Sequence, residues 1–225
     1  MIDFVLNFLY PPVCGICGKI NYNWICSKCE KRLQKYEKFE IIKGNKNIKN
    51  ILKNNKEEIY FDELLYYFEY KGLIRKLLLQ YKFSDGSYLA NFWAKVILKN
   101  KKIDEIFRIY DIMIPVPMHY EKELMRGYNQ TKLVTDIISK QNKILVESNI
   151  LIKNKKTETQ STLNLEKRYK NVKNVFEIKK VDKIENKTII LFDDICTTGA
   201  TVNEISRILK KAGARKILVL VIAKD

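Results

Sequence analysis

Apolar residues recur at two different periods along this chain, and the alternation between them predicts the fold. After Phe61, the run Leu64, Leu65, Tyr66, Tyr67 and Phe68 predicts a strand. Leu73, Ile74, Leu77 and Leu78, within Gly72–Tyr81, follow at the spacing of one helical face. A second helix is predicted near Leu89–Leu98, then a short strand over Ile112–Val116 that ends among Pro115 and Pro117. Leu133, Val134, Ile137 and Ile138 give Gln130–Ser139 one apolar face. Ile150–Ile152 is a weak strand and Thr188–Phe192 a strong one. Thr201–Ala212 is an amphipathic helix ended by Gly213, and Lys216–Ala223 is the last strand. From about residue 60, strands therefore alternate with helices. That order marks an α/β fold, a mainly parallel sheet flanked by helices on both faces.

The first 60 residues follow no such rhythm. Met1–Tyr10 is apolar but carries Asp3, lacks a basic lead segment and is stopped by Pro11 and Pro12. It predicts a short amphipathic helix packed on the body rather than a signal peptide, so a cytoplasmic location is expected. Apolar stretches such as Ile217–Ala223 fall well short of the ~20 residues a spanning helix needs, so no transmembrane segment is expected. Glu30–Tyr36 predicts a short helix. Residues 43–56, with Lys43, Gly44, Asn45, Lys46, Asn47, Asn50, Asn54 and Asn55, are polar and weakly periodic and read as a linker. The expected division is a module over 1–42, a linker over 43–58 and the main domain over 59–225.

Within that first module lies a metal pattern: Cys14-x-x-Cys17, eight residues, then Cys26-x-x-Cys29. In a reducing compartment the pattern points to a metal rather than to disulfides. Each knuckle presents two sulfurs on one side of a tight turn, and two knuckles supply four thiolates for tetrahedral Zn²⁺. Four sulfurs leave no open ligand position, so the zinc is expected to be structural. A segment this short needs such a staple. A redox role for a Cys-x-x-Cys would not require a second pair. The fifth cysteine, Cys196, reads as a small, partly buried residue without chemistry of its own.

The strongest chemical signal is Ile189-Ile190-Leu191-Phe192-Asp193-Asp194-Ile195-Cys196-Thr197-Thr198-Gly199-Ala200-Thr201. A buried strand runs into two acids, then a Thr/Gly turn, then a helix. In open α/β sheets, ligands bind at the carboxyl ends of the strands. Free amides and the helix dipole make such a turn an anion site, and Gly199 allows close backbone approach. Asp193 and Asp194 would repel a bare phosphate but suit sugar hydroxyls beside one. The order describes a ribose 5-phosphate pocket. Helix capping alone would need one polar residue here, not two adjacent acids and three threonines. No Gly-Lys-Ser/Thr follows, so this is not a Walker A loop, nor is the glycine spacing that of a dinucleotide fold.

Composition adds a partner. The chain has 225 residues, 46% hydrophobic and 30% charged, enough for a core and too apolar for disorder. Its formal charge is +16, from 42 Lys+Arg against 26 Asp+Glu. Residues 1–56 carry 11 basic and 4 acidic side chains, residues 57–139 carry 12 of each, and residues 140–187 carry 13 and 6. AT-rich coding accounts for the preference for Lys over Arg but not for two basic segments around a neutral one. The distribution favours anionic partners.

Residues 189–201 resemble the phosphoribosyl pyrophosphate (PRPP) motif of type I phosphoribosyltransferases. Other segments narrow the resemblance to the ComF competence family. They are Tyr70, Gly72, Arg75 and Lys82-Phe83; Pro115-Val116-Pro117-Met118-His119; Arg126-Gly127-Tyr128-Asn129-Gln130; and Thr157-x-x-Gln160-x-x-Leu163 with Arg168, Asn171 and Phe176. The Pro-Pro-x-Cys lead into the paired Cys-x-x-Cys is similar to that family too. Between His119 and Arg126 the family is richer in Arg, whereas Glu121 and Glu123 stand here.

The resemblance implies a type I phosphoribosyltransferase-like fold with a small N-terminal zinc ribbon. It places the 5-phosphate on Thr197, Thr198, Gly199, Ala200 and Thr201, and the ribose hydroxyls on Asp193 and Asp194. Pyrophosphate with Mg²⁺ would lie near His119, Arg126, Asn129 and Gln130. Residues 153–173 correspond to a flap over the site. The implied role is PRPP binding in support of single-stranded DNA uptake or handling during natural transformation. A DNA-uptake ATPase at the inner membrane is an implied partner, with the chain peripheral at that inner face. The competing role is an active, amidophosphoribosyltransferase-like enzyme acting on a small amine or base.

Overall fold

The computed structural model describes residues 13–52, 57–83, 86–155 and 165–225. The helix expected over Met1–Tyr10, and Thr157, Gln160 and Leu163, lie outside the described residues, as does the side chain of Arg168. In chain order the elements are α1 (Ser27–Gln34), β1 (Glu37–Lys43), α2 (Asn45–Ile51), β2 (Glu63–Glu69), α3 (Gly72–Phe83), α4 (Leu89–Leu98) and α5 (Lys101–Ile109). There follow β3 (Ile112–Pro115), α6 (Tyr120–Arg126), α7 (Gln130–Gln141), β4 (Leu145–Val146), β5 (Leu151–Lys153), α8 (Leu165–Val172), β6 (Phe176–Ile178), β7 (Thr188–Cys196), α9 (Ala200–Lys211) and β8 (Lys216–Lys224).

One sheet runs in the order β1-β2-β8-β7-β3-β4, and every neighbouring pair except β1–β2 is parallel. The α/β expectation therefore holds, with an antiparallel edge strand added. Side chains alternate between two cores, as the period of two requires. Ile190 and Phe192 of β7 and Leu218 and Leu220 of β8 face one core, which α3, α4, α5 and α7 cover with Ile74, Trp93, Phe107 and Val134. Ile189, Leu191, Ile217 and Val219 face the other, under Ile48 of α2, Ile205 of α9 and Phe176 of the antiparallel β5–β6 pair. Polar groups fasten the amino ends of the strands. Glu63 accepts from Lys216 at 2.9 Å and from the Tyr110 hydroxyl at 3.0 Å. The carboxyl ends of β2, β8, β7 and β3 open together on the opposite edge.

Four segments differ from expectation. The stretch expected as a linker starts with the end of β1, where Lys43 pairs with Glu63, and continues into α2. Ile48, Ile51 and Leu52 form an apolar stripe that buries Ile48 and Leu52 despite the surrounding Lys and Asn. β7 extends past Phe192 to Cys196, so both acids lie within the strand. Finally, α5 and α6 lie where no helix was expected. Around the Cys-x-x-Cys pairs, Cys14, Ile25, Cys29 and Leu33 share the first core with Leu89, Phe92 and Trp93.

Candidate functional site

β7 delivers Asp193 and Asp194 to the open edge, and Thr197–Gly199 turn the chain into α9. Gly199 caps that helix at φ 75°, a left-handed conformation that L side chains avoid. The Thr198 hydroxyl accepts from the Ala200 amide at 3.3 Å, and the Gly199 carbonyl accepts from the Asn203 amide at 2.8 Å. The Tyr169 hydroxyl of α8 donates to the Thr198 carbonyl at 2.9 Å, which ties the expected flap region to the turn. Asp193 and residues 195–202 line a shallow, mostly polar cradle. The five expected phosphate residues, Thr197 to Thr201, are thus contiguous around one helix start.

The two acids differ in surroundings. Asp193 accepts the Asp194 amide at 2.9 Å. Burial, and the like charge of Asp194 beside it, push the Asp193 carboxyl up to about 7. Asp194 is paired instead with the Lys82 ammonium at 3.0 Å, and both side chains are largely withdrawn from solvent. The Arg126 guanidinium also faces Asp194 and lies 5.2 Å over the Phe83 ring. Lys82 was not among the expected site residues. It is the last charged residue of α3, far from the acids in sequence, and only the fold brings it to Asp194.

The loop after β3 forms a second wall. The Val116 amide donates to the Phe192 carbonyl at 2.9 Å, fastening this loop to β7. His119 caps α6, its Nδ1 accepting the Glu121 amide at 3.3 Å, and its backbone bridges to Lys153 of β5. Asn129 caps α7 by accepting the Thr131 amide at 3.1 Å, and its Nδ2 donates to the Val116 carbonyl at 3.4 Å. The buried Gln130 accepts the Tyr81 hydroxyl on its carbonyl at 2.7 Å. Asn129 and Gln130 therefore hold the loop in place, a role their sequence position did not disclose. A cleft of about 560 Å³ lies along this wall, lined in part by His119, Asn129, Lys132 and Lys153. Burial, with Lys122 nearby, lowers the Lys153 ammonium to about 8, and the Asp193 carboxyl opposes that fall.

The four knuckle cysteines converge, their Sγ atoms all within 4.8 Å of one another. A tetrahedron with metal–sulfur arms of ~2.3 Å has edges of about 3.8 Å, and Cys17 and Cys26 Sγ are 3.8 Å apart. The Cys26 amide donates to Cys14 Sγ at 3.3 Å. Although burial opposes it, backbone amides bring Cys14 down to about 6, while burial and the neighbouring sulfurs push Cys29 up to about 12. Four thiolates at this distance repel one another, and a dication relieves that repulsion. The four sulfurs offer the ligand set of a tetrahedral metal site. Cys196 lies elsewhere, buried beneath the turn, its thiol pushed up to about 12 by burial.

Comparison with known proteins fits this geometry. The phosphoribosyl transferase domain family matches residues 133–225. Competence protein F of Haemophilus influenzae (strain ATCC 51907 / DSM 11121 / KW20 / Rd) is 29% identical over 212 residues, 90% of this chain and 91% of that protein. Competence protein ComFC of Bacillus subtilis (strain 168) is 22% identical over 207 residues, covering 89% of this chain and 72% of that protein. The chain is similar over most of its length to ComF-type competence proteins. The DNA utilization protein YhgH of Escherichia coli (strain K12) is also similar, at 27% identity over 154 residues and 67% of each chain. Among the described residues, no helix is long and apolar enough to cross a membrane.

Proposed function

We propose that this chain binds PRPP with Mg²⁺ at the β7–α9 turn, carries structural zinc on its four N-terminal cysteines, and supports the uptake or handling of single-stranded DNA. One observation carries the first part: an acidic pair at a strand end opens directly onto a helix-start cradle whose αL residue is glycine. The amides of residues 197–201 receive the 5-phosphate. Asp193, titrating near neutrality, donates to or accepts from a ribose hydroxyl, and Asp194 accepts from its neighbour. Pyrophosphate and Mg²⁺ lie toward His119 and Arg126, with Asn129 and Gln130 positioning that loop. Mg²⁺ is held mainly by ligand oxygens and water.

Calorimetric titration of PRPP with Mg²⁺ tests this reading. The Asp193→Ala/Asp194→Ala double variant is expected to bind at least 30-fold more weakly, on the order of 2 kcal/mol, as charge-assisted bonds to the diol vanish. Equal affinity in the two proteins ends the proposed ribose site. Pyrophosphate release, followed against a panel of amines and bases, separates turnover from binding.

The DNA role rests on the similarity to competence and DNA utilization proteins and on the two basic segments. The inner face of the membrane, beside a DNA-uptake ATPase, is the corresponding place of action. Binding of an oligothymidine to the protein is expected to weaken steeply with salt. About five phosphate contacts would give a slope of roughly −3.5 in log affinity against log salt. A flat salt dependence excludes a phosphate-tracking groove. The Tyr169 hydroxyl is engaged with Thr198, so stacking by that ring is not needed for the prediction.

A further inference from the structure

The acidic pair at the end of β7 already has an occupant. Lys82 comes from the last turn of α3 and places its ammonium 3.0 Å from Asp194 Oδ2. Only 23% of the lysine side chain and 9% of the aspartate side chain are exposed. Arg126 from the end of α6 and Tyr81 from α3 also interact with Asp194, and Asp193 lies next to it in the strand. α3 is held in place because the Tyr81 hydroxyl donates to the Gln130 carbonyl and the Tyr81 carbonyl accepts from the Tyr128 hydroxyl.

A ligand group that takes Asp194 Oδ2 competes with this ammonium. A withdrawn charge left without a counter-charge is strongly unfavourable. A ligand that brings only a diol, or only a metal dication, strands Lys82. A ligand that brings an anionic group beside its diol does not, because a lysine head on four flexible carbons can swing from the carboxylate to that anion.

We propose that Lys82 is a positioning residue that sets the selectivity of the site. It holds Asp194 against bare divalent cations and neutral sugars, and it is released only to a sugar diol accompanied by phosphate or pyrophosphate. The inference rests on reading the acidic pair as the ribose site, and its test is arranged so that the two fail separately.

The experiment measures two affinities in wild type, Lys82→Met and Lys82→Arg. Bare Mn²⁺ is titrated with detection by electron paramagnetic resonance, and PRPP with Mg²⁺ is titrated by calorimetry. In Lys82→Met, Mn²⁺ is expected to bind at least 10-fold more tightly than in wild type, because the acids lose their resident cation. PRPP with Mg²⁺ is expected to bind at least 10-fold more weakly. Lys82→Arg keeps the wild-type order in both. A merely structural ion pair would weaken both ligands together, so changes of the same sign, or no change, overturn the proposal. Thermal unfolding of each variant identifies a folding defect, and Lys82→Gln replaces the methionine variant if that chain does not fold. If wild type itself fails to bind PRPP, the ribose reading falls, while the Mn²⁺ comparison still judges the lysine.

Discussion

Gly199→Val is expected to weaken PRPP binding by roughly 100-fold, about 2.7 kcal/mol, with the sheet still folded. The glycine sits at φ 75°, where a β-branched residue is strained on the order of 1–3 kcal/mol. A Cβ there would also stand 2.7 Å from Leu52 Cδ1, which is packed in the second core. The turn can relieve both only by changing its backbone, and the amides of the cradle move with it. Gly199→Ala has the φ strain with less bulk, so a loss of about 10-fold is expected. The double variant Gly199→Ala/Leu52→Ala separates the two causes. If contact with Leu52 dominates, removing that side chain restores part of the affinity. If φ dominates, the effects add and Leu52→Ala only lowers stability. Calorimetry for affinity and thermal unfolding for stability read the two outcomes. Wild-type affinity in Gly199→Val would show that the turn does not cradle the phosphate.

Leu52 also shows where the sequence was hard to read. The order of acids, Thr/Gly turn and helix was legible because its parts are contiguous, and local chemistry alone suggests what they do. The parallel α/β sheet was legible because its strands are buried on both faces and read as apolar runs. α2 was hidden by composition, its Ile48 and Ile51, with Leu52 just past its end, standing among so many Lys and Asn that the stripe looked accidental. α5 carried both its signals, with Ile103, Ile106 and Phe107 on one face and Asn100 accepting the Lys102 amide as a cap, yet its brevity and charge concealed them. Lys82 and Tyr169 were illegible for another reason. Their partners, Asp194 and Thr198, are distant in sequence, and no local period encodes a contact made by tertiary packing. Asn129 and Gln130 stand within a segment that resembles the family, but only the fold shows the bonds by which they hold a loop.

Removing the metal should destabilise far more than the first 40 residues. Stripping bound zinc with a strong chelator, or substituting Cys14→Ser/Cys29→Ser, is expected to lower the unfolding midpoint by on the order of 10 °C or more. The knuckles supply Cys14, Ile25, Cys29 and Leu33 to the same core as Leu89, Phe92 and Trp93. Glu30 of α1 also pairs with Lys95 of α4 at 3.3 Å. Without a dication the four sulfurs repel, the knuckles open, and that face of α4 meets water. Losing about 4 kcal/mol of burial and metal stabilisation corresponds to roughly 8–16 °C in a domain of this size. Trp93 is fully buried, and the other tryptophan, Trp24, is exposed, so Trp24→Phe leaves Trp93 as a single reporter. Its emission should shift to longer wavelength as zinc leaves, with a stoichiometry of one metal per chain. The far-ultraviolet signal should largely persist, because the second core under α2 and α9 shares no residue with the knuckles. A preparation with no zinc, an unchanged midpoint and an unshifted Trp93 would mean that apolar packing alone holds the cysteine module in place.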